Sequence, residues 1–199
     1  MRRLSESPKP AGMLIAGVDL TTAEAHLLGA RGLLHHVLFD LWTPEPPRID
    51  QRICAAQLFM RPSTRAHAAV LGLGAAWIHG AASSPPELEC AFLPPAHRHK
   101  LVREEELFLR PSSRSCTTTD CVLIGGLHVT TPLRTCVDLA QSEDPIRLRA
   151  LHRLMAAPEL GCSRDAVLTV IRDTPYLRHR SAALARVRSQ DPGEPSSAE

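Results

Sequence analysis

Residues Gly125 to Ala140 read GGLHVTTPLRTCVDLA, a run that passes from strand to helix within a few residues. Upstream of it, CVLIGGLHVT (121–130) predicts a strand bent at Gly125-Gly126, since glycine inside a strand pattern marks a bend or a close approach. At Thr130-Thr131-Pro132 the signal changes. A hydroxyl there can accept from the free N–H groups of a first helical turn, and proline, which lacks an N–H, suits that turn. The helix so started carries Arg134 and Asp138 four residues apart, on one face. As a solvent-facing pair they are expected to add only a few tenths of a kcal/mol (about 0.2–0.5).

Downstream, three helices are expected at Ile146–Ala157, Ser163–Asp173 (capped by Ser163) and Leu177–Arg188, and then a polar tail at 191–199. Upstream, ELECAFLPP (87–95) predicts a strand with Leu88, Cys90 and Phe92 on one side, and EELFLR (105–110) a further strand. Between Arg65 and Ala81, RAHAAVLGLGAAWIHGA predicts a mainly helical stretch ending near Gly80. Ile53, Ala56, Leu58 and Phe59 mark an earlier helix broken by Pro62. The rigid run PEPP (44–47) predicts a connector and a domain boundary. Before it, Leu33–Pro44 predicts a β-ribbon with Val37, Phe39 and Leu41 on one face, preceded by a helix capped at Thr21 or Thr22 and ended at Gly29 or Gly32. Trp42 is expected to pack the ribbon against the neighbouring domain. The division is thus a poorly ordered 1–20, a ribbon-bearing unit 21–47, a larger α+β unit 48–190 and a tail 191–199.

Composition agrees with a helix-rich α+β chain. Hydrophobic residues make up 44% of the 199 but aromatics only 4%, so apolar volume comes from Ala, Leu and Val. The net charge of +2 hides an uneven distribution. Arg147, Arg149, Arg153, Arg164, Arg172, Arg178, Arg180, Arg186 and Arg188 fall in the closing helices, opposed only by Glu159, Asp165 and Asp173. The opening residues lack an apolar run of signal-peptide type, and no segment reaches the roughly 18 apolar residues of a membrane helix. A cytoplasmic chain without membrane contact is expected, its six irregularly spaced cysteines reduced.

Three stretches, in order, carry a resemblance. Gly125–Ala140 resembles the Val-Thr-Ser/Thr-Pro-x-Arg-Thr-x-x-Asp-Leu-Ala signature of the AbiEi antitoxin family of type IV toxin–antitoxin systems, in an actinobacterial branch. VLGLGAAWIHG (70–80), with Trp77 and His79, is similar to that family's Ala-Ala-Trp-Leu-His-Gly segment, and LTTAEAHLLGARGLLHHVLFDLWTP (20–44) resembles the end of its winged helix and wing. The likeness runs from about Leu20 to Arg188. It implies a winged helix-turn-helix, here partial and degenerate because one helix precedes the ribbon, followed by a mixed α/β domain ending in several helices. It implies a non-catalytic transcriptional regulator or antitoxin with no cofactor. Operator DNA, weakly bound, and a nucleotidyltransferase-like toxin or its regulatory circuit are the implied partners. Some relatives carry a nuclease domain after the same helical end; the chain's end at Glu199 is expected to leave that activity out.

Residue chemistry sets the alternatives beside this expectation. Where family wings carry arginine, this chain has His35 and His36, with Arg31 just before them, so the wing offers little to neutralise phosphates. Arg178, Arg180, Arg186 and Arg188, within about three helical turns, are the stronger DNA-binding candidates, or else a solvated face with Tyr176 as the lone aromatic nearby. Thr130, Thr131, Pro132, Arg134 and Asp138 are either a family surface or active patch, or simply a capped helix with an ion pair. Trp77 and His79 read as core and helix end. Glu87 and Glu89 share a strand face and could mimic a nuclease's metal-holding carboxylates, but the strand offers no companion Lys or third acid. The acidic run Glu104–Glu106 reads as a solvated loop or strand edge. Cys116 and Cys121, near His97 and His99, are a conceivable zinc set lacking a close second pair, so no metal is assigned. An orphan protein-binding module that has lost DNA binding is the third alternative.

Overall fold

The computed structural model describes residues 11–95, 101–114, 116–175 and 177–189; the expectations for residues 1–10, His97, His99, Tyr176 and the tail 191–199 lie outside them. The architecture is α+β, with two sheets and a group of helices that closes the chain.

The first sheet is built from β1 (Leu14–Ile15), β2 (His35–Leu38) and β3 (Leu41–Thr43), in the order β1-β3-β2 and antiparallel throughout. β1 corrects the expectation of a poorly ordered 1–20 for its described part, residues 11–20. Leu14 and Ile15 add to the outer edge of the ribbon opposite Trp42 and Leu41, and Met13, Ile15 and Ala16 are buried. α1 (Thr22–Ala30) precedes the ribbon. Its cap is a reciprocal pair, the Thr21 N–H donating to Glu24 and the Glu24 N–H to the Thr21 hydroxyl, which satisfies two N–H groups that the first turn leaves free. Gly29 does not end this helix but lies within it. A Cβ there would sit 2.6 Å from the Trp42 ring, so glycine is what lets the indole lie on the helix. Trp42 therefore packs inside its own lobe, with Ala16, Ala25 and Leu34, and not against the neighbouring unit. The ribbon's expected face is also altered. The register shifts between His36 and Leu38, and Phe39 occupies the turn with φ 52. Val37, Leu38 and Leu41 are buried, and the Phe39 ring contacts Phe59 and Phe108 instead.

The second sheet has five strands: β4 (Ala68–Val70), β5 (Leu88–Phe92), β6 (Leu109–Pro111), β7 (Cys121–Ile124) and β8 (Leu127–Thr130), in the order β6-β5-β4-β8-β7. β4–β5 and β7–β8 are antiparallel, whereas β4–β8 and β5–β6 are parallel. β4, the central strand, falls inside the stretch expected to be helical. Ala68, Ala69 and Val70 are all fully buried, so they carry no alternation by which a strand could be told from a helix. On either side of β4 lie α3 (Pro62–His67) and α4 (Gly72–Ile78), and α2 (Ile49–Leu58) comes before them. Pro62 opens α3 instead of breaking a helix, a first-turn role in which its missing N–H costs nothing. In EELFLR only the end becomes strand; Glu105 is turned inward.

The expected boundary at 44–47 does not separate two cores. One cluster joins Met13, Ile15, Val37, Leu38 and Leu41 to Ile53, Phe59, Val70, Trp77, Leu88 and Val129. A second core is helical. It holds α5 (Pro132–Ala140), α6 (Pro145–Ala156), α7 (Arg164–Asp173) and α8 (Arg180–Arg188) together through Val137, Leu139, Leu151, Leu154, Val167, Ile171, Ala183 and Val187. α4 joins the two, burying Trp77 and Ile78 in the first and Ala76 in the second. Thr131, Asp144 and Ser163 cap α5, α6 and α7, each side chain accepting a backbone N–H of the first turn. The last helix begins at Arg180 and not Leu177.

Candidate functional site

The centre of the molecule's polar chemistry is the β8–α5 junction. Thr131 accepts from the Arg134 N–H at 3.2 Å and so caps α5, while its own N–H donates to the Asp120 carbonyl at 2.8 Å. Just before it, Thr130 is fully buried, its hydroxyl 2.8 Å from that of Thr135, which also donates to the Thr131 carbonyl at 2.9 Å. From α4, the His79 Nε2–H donates to the Thr130 carbonyl at 2.8 Å. Burial holds the His79 imidazole below the usual histidine range, against the opposing pull of that hydrogen bond. Pro132 occupies the first turn, where its fixed φ suits the helix.

The Arg134–Asp138 pair is not solvent-facing, and this overturns the expectation of a surface pair worth tenths of a kcal/mol. Asp138 is 1% exposed and accepts from Arg134 Nε at 3.3 Å. Arg134 reaches Asp120 at 3.1 Å through its other side, so one guanidinium bridges two carboxylates from different elements. The helix periodicity placed the pair correctly on one face, but that face looks inward. Burial pushes the Asp138 carboxyl above its ordinary range, opposed by Arg134 and Arg114. Burial also tends to raise Asp120, but the Thr117 N–H and hydroxyl, with Arg134, hold its carboxyl below the ordinary range.

The two candidate nuclease carboxylates part company. Glu87 pairs with Arg110 at 2.9 Å on the surface. Glu89 makes a two-pronged pair with Arg147 of α6, with the side chains 13% and 14% exposed. That contact crosses 58 residues of sequence and ties the sheet to the helical core. Gly72, at φ +60, supplies the room for it: a Cβ there would lie 2.3 Å from Glu89 Oε2. Glu105, expected in a solvated run, is 1% exposed and accepts from the Arg61 and Val102 N–H groups. The first of these satisfies an N–H at the start of α3, a signal that separation in sequence conceals. Among the described residues no three His, Cys, Asp or Glu side chains gather as a metal site.

The DNA-binding candidates are also sorted by the geometry. Arg31 is exposed at the end of α1. His36 is committed to the ribbon, its Nε2–H donating to the Phe39 carbonyl at 2.6 Å and its ring 4.9 Å from that of Trp42; His35 is half-buried in the register opposite Thr43. At the other end, Arg186 donates to the Ala140 carbonyl at 3.0 Å and pairs with Glu143 at 2.7 Å, and Arg180 donates to the Thr174 carbonyl. Both guanidiniums are therefore used to dock α8, whereas Arg178 and Arg188 are exposed. The expected four-arginine face is reduced to two free-standing members.

No family model, curated protein or solved structure matches this chain. Among the described residues no helix is long and apolar enough to cross a membrane.

Proposed function

We propose that this chain is a non-catalytic, antitoxin-like regulator or interaction protein of the AbiEi type, working in the cytoplasm. The observation that carries this reading is the hydrogen bond from His79 to the Thr130 carbonyl. It joins, 51 residues apart, the two stretches on which the family resemblance chiefly rests. Their polar side chains are spent on one another, with Thr130, Thr135 and Asp138 withdrawn from solvent. A general acid or base must reach its substrate, and these groups face the interior. Glu87 and Glu89, each held by its own arginine, favour a structural role over a metal-holding one. Six free thiols agree with a reducing compartment.

Operator DNA is the proposed partner, held through its phosphates by Arg178 and Arg188 with Arg31 as a lesser contributor; a nucleotidyltransferase-like toxin or its regulatory circuit is the proposed setting. The test is fluorescence anisotropy with the upstream promoter duplex, at low and physiological salt. Binding should be weak and salt-sensitive. Arg178→Ala/Arg188→Ala should lower the salt slope by about two, one for each phosphate that is no longer neutralised. His35→Ala/His36→Ala should change it little. Tight, sequence-specific binding that disappears in the histidine variant would make the ribbon the DNA reader. Metal-dependent cleavage of the duplex that is abolished in Glu89→Ala would overturn the non-catalytic reading.

A further inference from the structure

The turn that presents Asp120 to Arg134 also brings two thiols together. Thr117 and Asp120 close a single 3-10 turn, Thr118–Asp120, the Thr117 N–H and hydroxyl both donating to the Asp120 carboxylate, at 2.9 and 2.8 Å. The chain thereby doubles back, and Cys116 Sγ lies 3.3 Å from Cys121 Sγ. Cys121 opens β7, an outer strand of the five-stranded sheet, and is partly exposed; Cys116 is buried beside Ala69, Leu71 and Leu93. We propose that Cys116 and Cys121 are a modification site: a thiol pair that a peroxide converts, reversibly, into an intrachain disulfide.

The chemistry assigns each sulfur a part. The Cys121 thiolate attacks a peroxide oxygen; the O–O bond breaks, one oxygen stays on sulfur as a sulfenic acid and the other leaves as hydroxide, protonated to water. Cys116 then attacks the Cys121 sulfur, the S–O bond breaks, and the departing hydroxide takes up the Cys116 proton. Two thiols and one hydrogen peroxide become one disulfide and two waters, and a dithiol reductant reverses the change by exchange. Reach and charge both select Cys121 as the attacking sulfur. The hydrogen bond from Cys116 and the nearby Arg134 hold its thiol below the ordinary value, against burial and Asp120. Cys116 needs no access to solvent, because its target is already adjacent. The other thiols lack this combination. Burial pushes Cys90 up to about 12, and Cys136 and Cys162, though neighbours, are 0% and 1% exposed. The bond would close the loop that holds Asp120, and so clamp both the carboxylate that pairs with Arg134 and the main-chain carbonyl that accepts from the Thr131 N–H.

The experiment treats the native full chain with stoichiometric hydrogen peroxide, blocks free thiols by alkylation, and maps peptides without reduction. Tryptic peptide 115–134 contains both cysteines and no others. It should become lighter by two hydrogen atoms and resist alkylation, and dithiothreitol should restore both thiols. Cys121→Ser should lose no second thiol, and Cys116→Ala should leave a Cys121 sulfenic acid that dimedone traps. The wild-type map decides the matter even where a variant folds poorly. Sulfinic acid at Cys121 with Cys116 still alkylated, equal oxidation of Cys136 and Cys162, or zinc retained by the purified protein on these two thiols would each overturn the proposal.

Discussion

Replacing Arg147 by Met leaves the Glu89 carboxylate inside the protein without its partner. The two side chains are 13% and 14% exposed, and both prongs of the guanidinium are used on this one carboxylate. Removing one member of a buried pair costs about 3–5 kcal/mol, because the remaining charge is neither hydrated nor paired. Two features put this site at the low end. A little solvent reaches it, and Arg110 lies opposite Glu89 in the β5–β6 register, although it pairs with Glu87. A loss of about 3 kcal/mol in a chain of this length lowers Tm by roughly 6–12 °C. Scanning calorimetry or circular dichroism melts at pH 7 would measure it. Glu89→Leu/Arg147→Met removes both charges and should recover most of the loss, to within about 1 kcal/mol of wild type, since an apolar pair of similar volume carries no desolvation cost. An Arg147→Met melt within about 2 °C of wild type would show that the pair behaves like an exposed one. A double variant less stable than Arg147→Met alone would show that packing, not pairing, holds α6 to the sheet. Either result refutes the reasoning.

Two pH experiments follow from the β8–α5 junction. Asp138 has a folded-state value raised by burial, so in the interval between the ordinary carboxylate range and that raised value the native chain binds more protons than the unfolded one. Wild type should therefore gain stability relative to Asp138→Asn as pH falls from 7 through this interval, read from paired denaturant titrations; a relative loss would contradict burial as the dominant cause. His79 has the opposite sign: its folded value is depressed, so its contribution is full above about 6.5 and is lost as pH falls from there through the depressed value. His79→Gln should flatten that decline in melts between pH 7.5 and 5, and an unchanged slope would assign the decline to other groups.

Local chemistry was legible in the residues themselves. Thr130-Thr131-Pro132, Ser163 and Thr21-Thr22 were readable as helix starts because a cap is one hydrogen bond spanning three residues; the structure makes Thr131, Ser163 and Thr21 the caps. The ribbon before Pro44 was legible for the same reason, since hairpins are made by neighbours; Gly125-Gly126, expected as a bend in one strand, instead turns the chain between two antiparallel strands, β7 and β8. The α+β class also followed from alternating strand and helix signals. What required the tertiary structure was everything decided by what lies opposite. Ala68–Val70 is strand because β5 and β8 flank it, not because of its own pattern. Asp138 sits four residues from Arg134 on any helix, but only the packing of α5 turns that face inward and adds Asp120 as a second carboxylate. Glu89 could be read with Glu87 as a nuclease-like carboxylate pair until Arg147 arrives from 58 residues away, and Glu105 as solvated until the start of α3 reaches it. Periodicity fixes which side chains share a face, because it is a property of one backbone; burial and pairing depend on chain segments whose approach no local pattern encodes.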